Sequence, residues 1–368
     1  MRKPRFQKCR VTLLILLAAW SFWGASGADA APWKFALLGD CRGMESGEGS
    51  VNGARVSVLE PMAAEVARER PQLVLFSGDL ANGSILCGSL AKQWATWKKA
   101  MGPIYEAGIP VYACRGNHEE RQDFPPGHAI KAWRRFFPEL PQNGPPGQEG
   151  LTFSLQVENA TFIGFDVFAG RVQTLNPPGY SGLVSPWVID QIKHSRTPWV
   201  FLFSYASAFI GHHTDGLSSA PAERDALWDA LGEKGGIYMA GHDHLYVRRT
   251  APDFLNRPVL ELVVGCAGAP PYAYDNAALN DKLDRHVTPT ELFINAKPAS
   301  RLAGSGKSSL YQNTGGLPNY FGYMLVTVDG LKLTGVWRAL TNYDMKEWRM
   351  TGKPRFETLD TFTQEAKR

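Results

Sequence analysis

Four segments of the chain repeat one arrangement, in which an apolar run enters a glycine-containing turn and the turn presents an oxygen or imidazole side chain. They read FALLGDCR, LVLFSGDL, YACRGNHE and IYMAGHDH, and they supply Asp40, Asp79, Asn117 with His118, and His242 with His244. A lone Gly-Asp says little, because Asp is a common turn residue. Four such turns, each following a strand-like run, point to one place, since ligands of open α/β sheets bind beyond the carboxyl ends of the strands. Carboxylate, amide oxygen and imidazole with no obligatory thiolate form a donor set suited to one or two divalent cations, with Mn, Fe and Zn all compatible.

The elements that must position these turns can be read from periodicity. Trp33 to Gly39, Leu73 to Ser77 and Pro110 to Arg115 are short apolar runs with strand character. Gly53 to Arg70 and Leu90 to Ala107 lie between them with helical spacing and length. Strand, helix, strand implies parallel strands with right-handed crossovers. Farther on, Thr152 to Val157 and Ala160 to Phe165 predict a hairpin, and Ser185-Pro186 predicts the cap and first residue of a helix running to Arg196. Trp199 to Phe203, Ile237 to Ala240 and Val259 to Val264 are further strands, and Tyr320 to Val328 with Leu331 to Arg338 predict a hairpin turning at Asp329-Gly330. The order predicts an α/β fold of two mixed β-sheets packed as a sandwich and flanked by helices. Gln142 to Gly150 and Tyr272 to Pro318 are long loops, the kind that carry function or stay poorly ordered. Gly306-Lys307-Ser308 is not a phosphate-binding loop, because Arg301 stands where its first glycine belongs and no strand leads in.

The series Gly-Asp, Gly-Asp, Gly-Asn-His-Glu, Gly-His-Asp-His from Asp40 to His244 resembles the calcineurin-like metallophosphoesterases, including the purple acid phosphatases. Leu245-Tyr246-Val247-Arg248 and the stretch Val263 to Pro270 are similar to secreted bacterial members. The resemblance covers most of the chain after residue 30 and implies the four-layer fold of that family, with a phosphomonoesterase or phosphodiesterase activity. It implies that Asp79 bridges two cations, with Asp40 and His244 completing the first site and Asn117 and His242 the second. It makes His118 a catalytic residue that stabilises the transition state or protonates the leaving oxygen.

Two departures from that pattern bear on the metals. The first motif of the family reads Asp-x-His, and here it is Asp40-Cys41-Arg42; the fourth reads His-x-Pro after a strand, and here Tyr205-Ala206-Ser207 follows. Each site therefore lacks one imidazole and keeps three protein ligands, the usual minimum for a catalytic metal. Arg42 is a fixed cation that can pair with Asp40 or with a substrate phosphate and is assigned a catalytic role. Tyr205 is assigned to substrate binding, with ligation as a phenolate and a spacer role both left open. His212 and His213 stand where relatives place substrate-contacting histidines. Glu119 and Asp243 are expected behind the ligands or in solvent.

The chain has 368 residues and opens with Arg2, Lys3, Arg5, Lys8 and Arg10, an apolar run from Val11 to Trp23, and Ala28-Asp29-Ala30. That order predicts a secretory signal peptide over residues 1–30, too short to span a bilayer, and a periplasmic or secreted product without a membrane anchor. Residues 31–345 are then the catalytic domain and 346–368 a C-terminal tail. Of 39 Lys and Arg the leader holds five, and of 35 Asp and Glu one, so the remainder carries 34 of each. A neutral balance gives no signal for nucleic-acid binding. The partner expected is a small or macromolecular phosphoester. Cys41, Cys87, Cys114 and Cys266 form either disulfides or buried thiols. A non-catalytic phosphate-ligand-binding protein that keeps the fold with weakened metal sites is the alternative reading.

Overall fold

A computed structural model describes residues 31–43, 53–121, 127–175, 178–209, 213, 215–272, 291–295, 311–313 and 320–367. The first half of the chain forms β1 (Trp33–Leu38), α1 (Val56–Glu69), β2 (Leu73–Phe76), α2 (Leu90–Ala100), α3 (Gly102–Glu106), β3 (Val111–Ala113), α4 (Asn117–Glu120) and α5 (His128–Phe136). The middle forms β4 (Phe153–Val157), β5 (Ala160–Gly164), the ribbon β6 (Val172–Leu175) with β7 (Pro178–Ser181), α6 (Pro186–His194), β8 (Trp199–Phe203) and α7 (Pro221–Lys234). Then follow β9 (Ile237–Ala240), β10 (Tyr246–Pro252), β11 (Pro258–Val264), β12 (Glu291–Asn295) and β13 (Tyr311–Asn313). The chain ends with β14 (Phe321–Asp329), β15 (Lys332–Leu340), the ribbon β16 (Tyr343–Asp344) with β17 (Arg349–Met350), and β18 (Phe356–Glu365).

Two mixed sheets result. The first runs β18-β15-β14-β1-β2-β3, and the second β13-β12-β10-β11-β9-β8-β5-β4. In the first, β1, β2 and β3 are parallel. In the second, β5, β8, β9 and β11 are parallel. Strand alternation sorts the apolar side chains into two cores. Phe201 and Phe203 of β8 join Phe35, Leu37, Phe162 and Met239 between the sheets, whereas Val200 and Leu202 turn to the other face and pack with Val188, Ile192, Leu227 and Leu231 of α6 and α7. The inter-sheet core is aromatic, with Phe35 edge-on to Phe201 at 4.8 Å and to Phe162 at 5.1 Å. On the outer face of the first sheet, Trp94 of α2 meets Trp133 of α5 at 5.5 Å.

The predicted strands and the 329–330 hairpin form with shifts of one or two residues at their ends, and Ser185 caps α6 by accepting from the Trp187 N–H at 3.3 Å. Leu90 to Ala107 is two helices rather than one. The break falls at Met101, and Pro103, in the first turn of the second helix, has no N–H to continue the ladder of the first. The stretch expected to be a tail, 346–368, contains β18, which pairs along its length with β15. Asp360 of β18 accepts from Tyr246 Oη at 2.7 Å and from Arg248 Nε at 2.8 Å, both on β10 of the other sheet. Residues 31–368 accordingly form one unit with no division at 345. Cys41, Cys87, Cys114 and Cys266 are buried free thiols. Cys41 and Cys266 donate to the carbonyls of Leu80 and Gly322 at 3.3 and 3.5 Å. Residues 1–30, the Gly306-Lys307-Ser308 segment and most of the Tyr272 to Pro318 loop lie outside the described residues. Among the described residues no helix is long and apolar enough to cross a membrane.

Candidate metal centre

The predicted ligand turns all follow parallel strands: Asp40 follows β1, Asp79 follows β2, Asn117 and His118 follow β3, and His242 and His244 follow β9. Tyr205 follows β8 in the same way. Three of these residues, Asp40 (φ 57°), Asp79 (φ 52°) and His242 (φ 70°), have left-handed backbones. That conformation costs an L-residue of order 1–2 kcal/mol and persists where the surroundings hold it, which is the pattern of a functional site. Two glycines make the close approach possible. Gly78 has φ +89°, and a Cβ there would collide with the Tyr205 ring; a Cβ on Gly241 would collide with Asp40 Oδ2 and lie 2.6 Å from the Ser77 carbonyl.

Hydrogen bonds lock the turns together. The His242 N–H donates to Asp40 Oδ2 at 2.9 Å and so joins the two sheets. Glu119 is fully buried and accepts three backbone N–H groups, from Gly116 (2.7 Å), Ala81 (3.0 Å) and Asp79 (3.1 Å). Its carboxylate therefore pins the β2 turn to the β3 turn. Burial and the neighbouring Asp79 push the Glu119 carboxyl up to about 8.

The first ligand set is Asp40, Asp79 and His244, whose donor atoms lie within 4.8 Å of one another. Asp40 is completely buried, and its Oδ1 has no hydrogen-bond partner. His244 Nε2 is 3.7 Å from that oxygen. The Pro270 carbonyl, 2.8 Å from His244 Nδ1, can only accept, so Nδ1 carries the hydrogen and Nε2 offers its lone pair to the cluster. Burial holds the His244 pKa well below the ordinary histidine value, and burial with the Asp79 charge raises that of Asp40. A buried carboxylate oxygen without a donor beside a neutral imidazole lone pair fits a divalent cation.

The second set is Asp79, Asn117 and His242. His242 Nε2 lies 2.7 Å from the Asp215 carboxylate, which orients the ring and leaves Nδ1 facing inward. The bond to His242 and burial act oppositely on Asp215, and the bond prevails, bringing its pKa down to about 2. Asp79 Oδ2, Asn117 Oδ1 and His242 Nδ1 surround the Tyr205 hydroxyl at 3.0, 2.9 and 2.7 Å. Tyr205 is 2% exposed, and its hydroxyl lies among the ligand atoms.

His118 stands beside the cluster without joining either set. Its Nδ1 faces the Asn82 carbonyl, an acceptor, and its Nε2 lies 3.1 Å from Arg121 Nη1, a donor, which fixes a neutral ring with the lone pair on Nε2. Burial lowers its pKa, and Arg42 and Arg121 add to the effect against Asp79. Arg42 pairs through Nε with Asp79 Oδ2 at 3.3 Å, and its Nη2 donates to Tyr272 Oη at 3.1 Å. The cation thus acts on the carboxylate shared by both sets. Two aromatic stacks wall the cleft, His213 on His242 at 3.9 Å and Tyr272 on His244 at 4.1 Å. His213 also bonds Asp243 at 3.0 Å, and both Glu119 and Asp243 are fully buried, so neither is in solvent. His212 lies outside the described residues.

The cleft has a volume of about 330 Å³ and is lined by Arg42, Asp79, Asn117, His118, Tyr205, His213, His242 and His244, joined by Asn82, Gly83, Ser84, Arg121 and Tyr272. Sequence reasoning missed Arg121, Tyr272 and Asp215. Arg121 stands three residues after His118, a spacing that shares a helix face and was readable. Tyr272 opens the long loop singled out above, whereas no signal marked Asp215.

Residues 34–246 match the model of the calcineurin-like phosphoesterases. The chain belongs to that family. A solved structure of PhoD superposes with a TM-score of 0.62 at 14% identity, covering 93% of this chain and 71% of that one. The purple acid phosphatase PPD1 from yellow lupin (Lupinus luteus) superposes with a TM-score of 0.57 at 16% identity, covering 91% of this chain and 54% of that one. At these identities the likeness is one of fold. A curated Arabidopsis thaliana protein named "Probable inactive purple acid phosphatase 14" is 33% identical over 81 residues, or 22% of this chain and 20% of its own length. The match therefore spans about a fifth of that relative.

Proposed function

We propose that the chain hydrolyses phosphate esters with two divalent cations, one held by Asp40, Asp79 and His244 and the other by Asp79, Asn117 and His242. The observation that carries this reading is the buried Asp40 Oδ1, which has no donor and faces the His244 lone pair. Bound cations would neutralise phosphoryl oxygens and supply a hydroxide nucleophile near neutral pH. The chain's own residues divide the remaining work. Arg42 and Arg121 bring positive charge to the cleft and favour an anionic substrate. His118 Nε2 presents its lone pair beside Asp79 and Arg121, so it would have to take up a proton before passing one to the leaving oxygen. His213 and Tyr272 hold the ligand imidazoles by stacking and narrow the entrance.

The test is hydrolysis of an aryl phosphomonoester and an aryl phosphodiester by metal-stripped protein before and after addition of Mn or Zn. Turnover that returns with metal and is lost in His244→Ala supports the proposal. Phosphate binding without turnover under any metal supports the second reading, a non-catalytic phosphate-binding protein. That reading draws on Arg42 and Tyr205, which already contact the lone pairs of Asp79, and on the name of the Arabidopsis relative. We also propose export, with cleavage after Ala30, from the basic and apolar order of residues 1–30. N-terminal sequencing of the exported protein should begin at Ala31, and recovery of Met1 would overturn it.

A further inference from the structure

We propose that the Tyr205 oxygen is the fourth protein ligand of the second cation, making that site a carboxylate, amide, imidazole and phenolate set. The inference rests on the two-cation reading above. The Tyr205 hydroxyl has one hydrogen and meets Asp79 Oδ2 at 3.0 Å, Asn117 Oδ1 at 2.9 Å and His242 Nδ1 at 2.7 Å. The first two only accept. In a neutral ring the third accepts as well, because the Asp215 carboxylate 2.7 Å from Nε2 draws the imidazole hydrogen there. Three acceptors thus converge on one hydroxyl hydrogen, with Arg42 Nε 3.3 Å from one of them, Asp79 Oδ2. A cation takes lone pairs from all four atoms at once, and oxygen and imidazole donors suit Zn, Mn or Fe.

The ring is built to hold the oxygen in place. Tyr205 is 2% exposed, packs 4.7 Å from His242 and 6.0 Å from Phe168, and lies so close over Gly78 that a Cβ there would collide with it. The hydroxyl therefore does not swing out toward a substrate. As the oxygen coordinates, its hydrogen leaves to solvent as a proton, because a bound cation stabilises the anion of its ligand.

Zn titration of metal-stripped protein tests this, with bound ions counted by elemental analysis and phenolate followed by its ultraviolet difference band. Wild type should bind two ions, and the band should grow with one of them. Tyr205→Phe should lose the band and bind that ion at least about a hundredfold more weakly, since altering even an outer partner of a metal ligand costs about 10–100-fold. Tyr205→His should keep two ions without the band, which guards against a Phe variant that fails to fold. Asp40→Asn should lose the other ion and keep the band. Saturation of wild type without a band, or two tight ions in Tyr205→Phe, overturns the proposal. One bound ion without a band also overturns it, while the hydrolase reading stands if activity follows that ion. No zinc bound by wild type sinks both.

Discussion

His118 is the residue whose position and protonation together define a role. Its ring is neutral in the resting site because burial lowers its pKa, with Arg42 and Arg121 adding to the effect. If it gives a proton to the leaving oxygen, activity requires the protonated form and falls as pH rises through that lowered pKa. The basic limb of kcat/KM should therefore lie below about 6.5, the unperturbed histidine value. His118→Ala should remove that limb, retain both bound metals, and lose about 10²–10⁴ in turnover on alkyl phosphates, the range general acid catalysis supplies. Aryl phosphates, whose leaving groups need no proton, should lose far less. Equal losses on both substrate classes would assign His118 to charge stabilisation instead.

At the scale of elements, the site depends on two strand turns held at a fixed separation. Glu119 does this by accepting from the β2 turn at Asp79 and Ala81 and from the β3 turn at Gly116. Glu119→Gln turns one acceptor oxygen into a donor that must face an N–H, at a cost of about 1–3 kcal/mol for the unsatisfied buried groups. Urea unfolding of metal-stripped protein should show that loss, and metal affinity should fall with it because Asp79 is no longer fixed. An unchanged midpoint would mean that the turns are held by their backbone bonds alone, Asp40 N–H to Gly78 and Cys41 N–H to Asp79 at 3.0 and 3.1 Å.

At the scale of the whole molecule, the two sheets are joined behind the site by the last strand. Asp360 of β18 accepts from Tyr246 and Arg248 of the opposite sheet while nearly buried. Removing one partner of a buried ion pair costs about 3–5 kcal/mol, so Asp360→Ala should lower the melting temperature by several degrees, and a chain ending at 345 should not fold stably. A soluble, active 31–345 chain would contradict this. The charge arrangement also sets a pH dependence for the metal-free protein. Glu119, pushed up to about 8, and Asp40, raised by burial and Asp79, contribute stability that is lost as pH climbs from the unfolded carboxylate value near 4. His118 and His244, both lowered, act oppositely but only below about 6.5, where unfolding lets them take up protons. Above the histidine range the shift of Glu119 is still being lost, so the melting temperature of stripped protein should fall as pH approaches about 8. Saturating Zn or Mn should abolish the fall by binding the ionised forms. A rising melting temperature would show that these carboxylates are already ionised in the fold at lower pH.

Glycine followed by Asp, Asn or His after a short apolar strand specified the ligand turns from sequence, because only close packing at such a turn demands glycine there. Strand and helix periods likewise specified most of the two sheets, since each strand's alternation already encodes which core it faces. The role of 346–368 was not legible, because β18 alternates without a strong apolar face and its value lies in a pairing with β15 made across the fold. Partners of the site residues were equally hidden. Arg42 could have paired with Asp40 or a substrate, and only the approach of two turns from different strands places it on Asp79. Tyr205 was readable as a residue standing beside ligands, but the convergence of three lone pairs on its oxygen depends on where three separate strands end. Sequence spacing fixes what lies within one turn, and distances between turns are set by sheet order and packing, which is why the metal-ligand types were local information and their geometry was not.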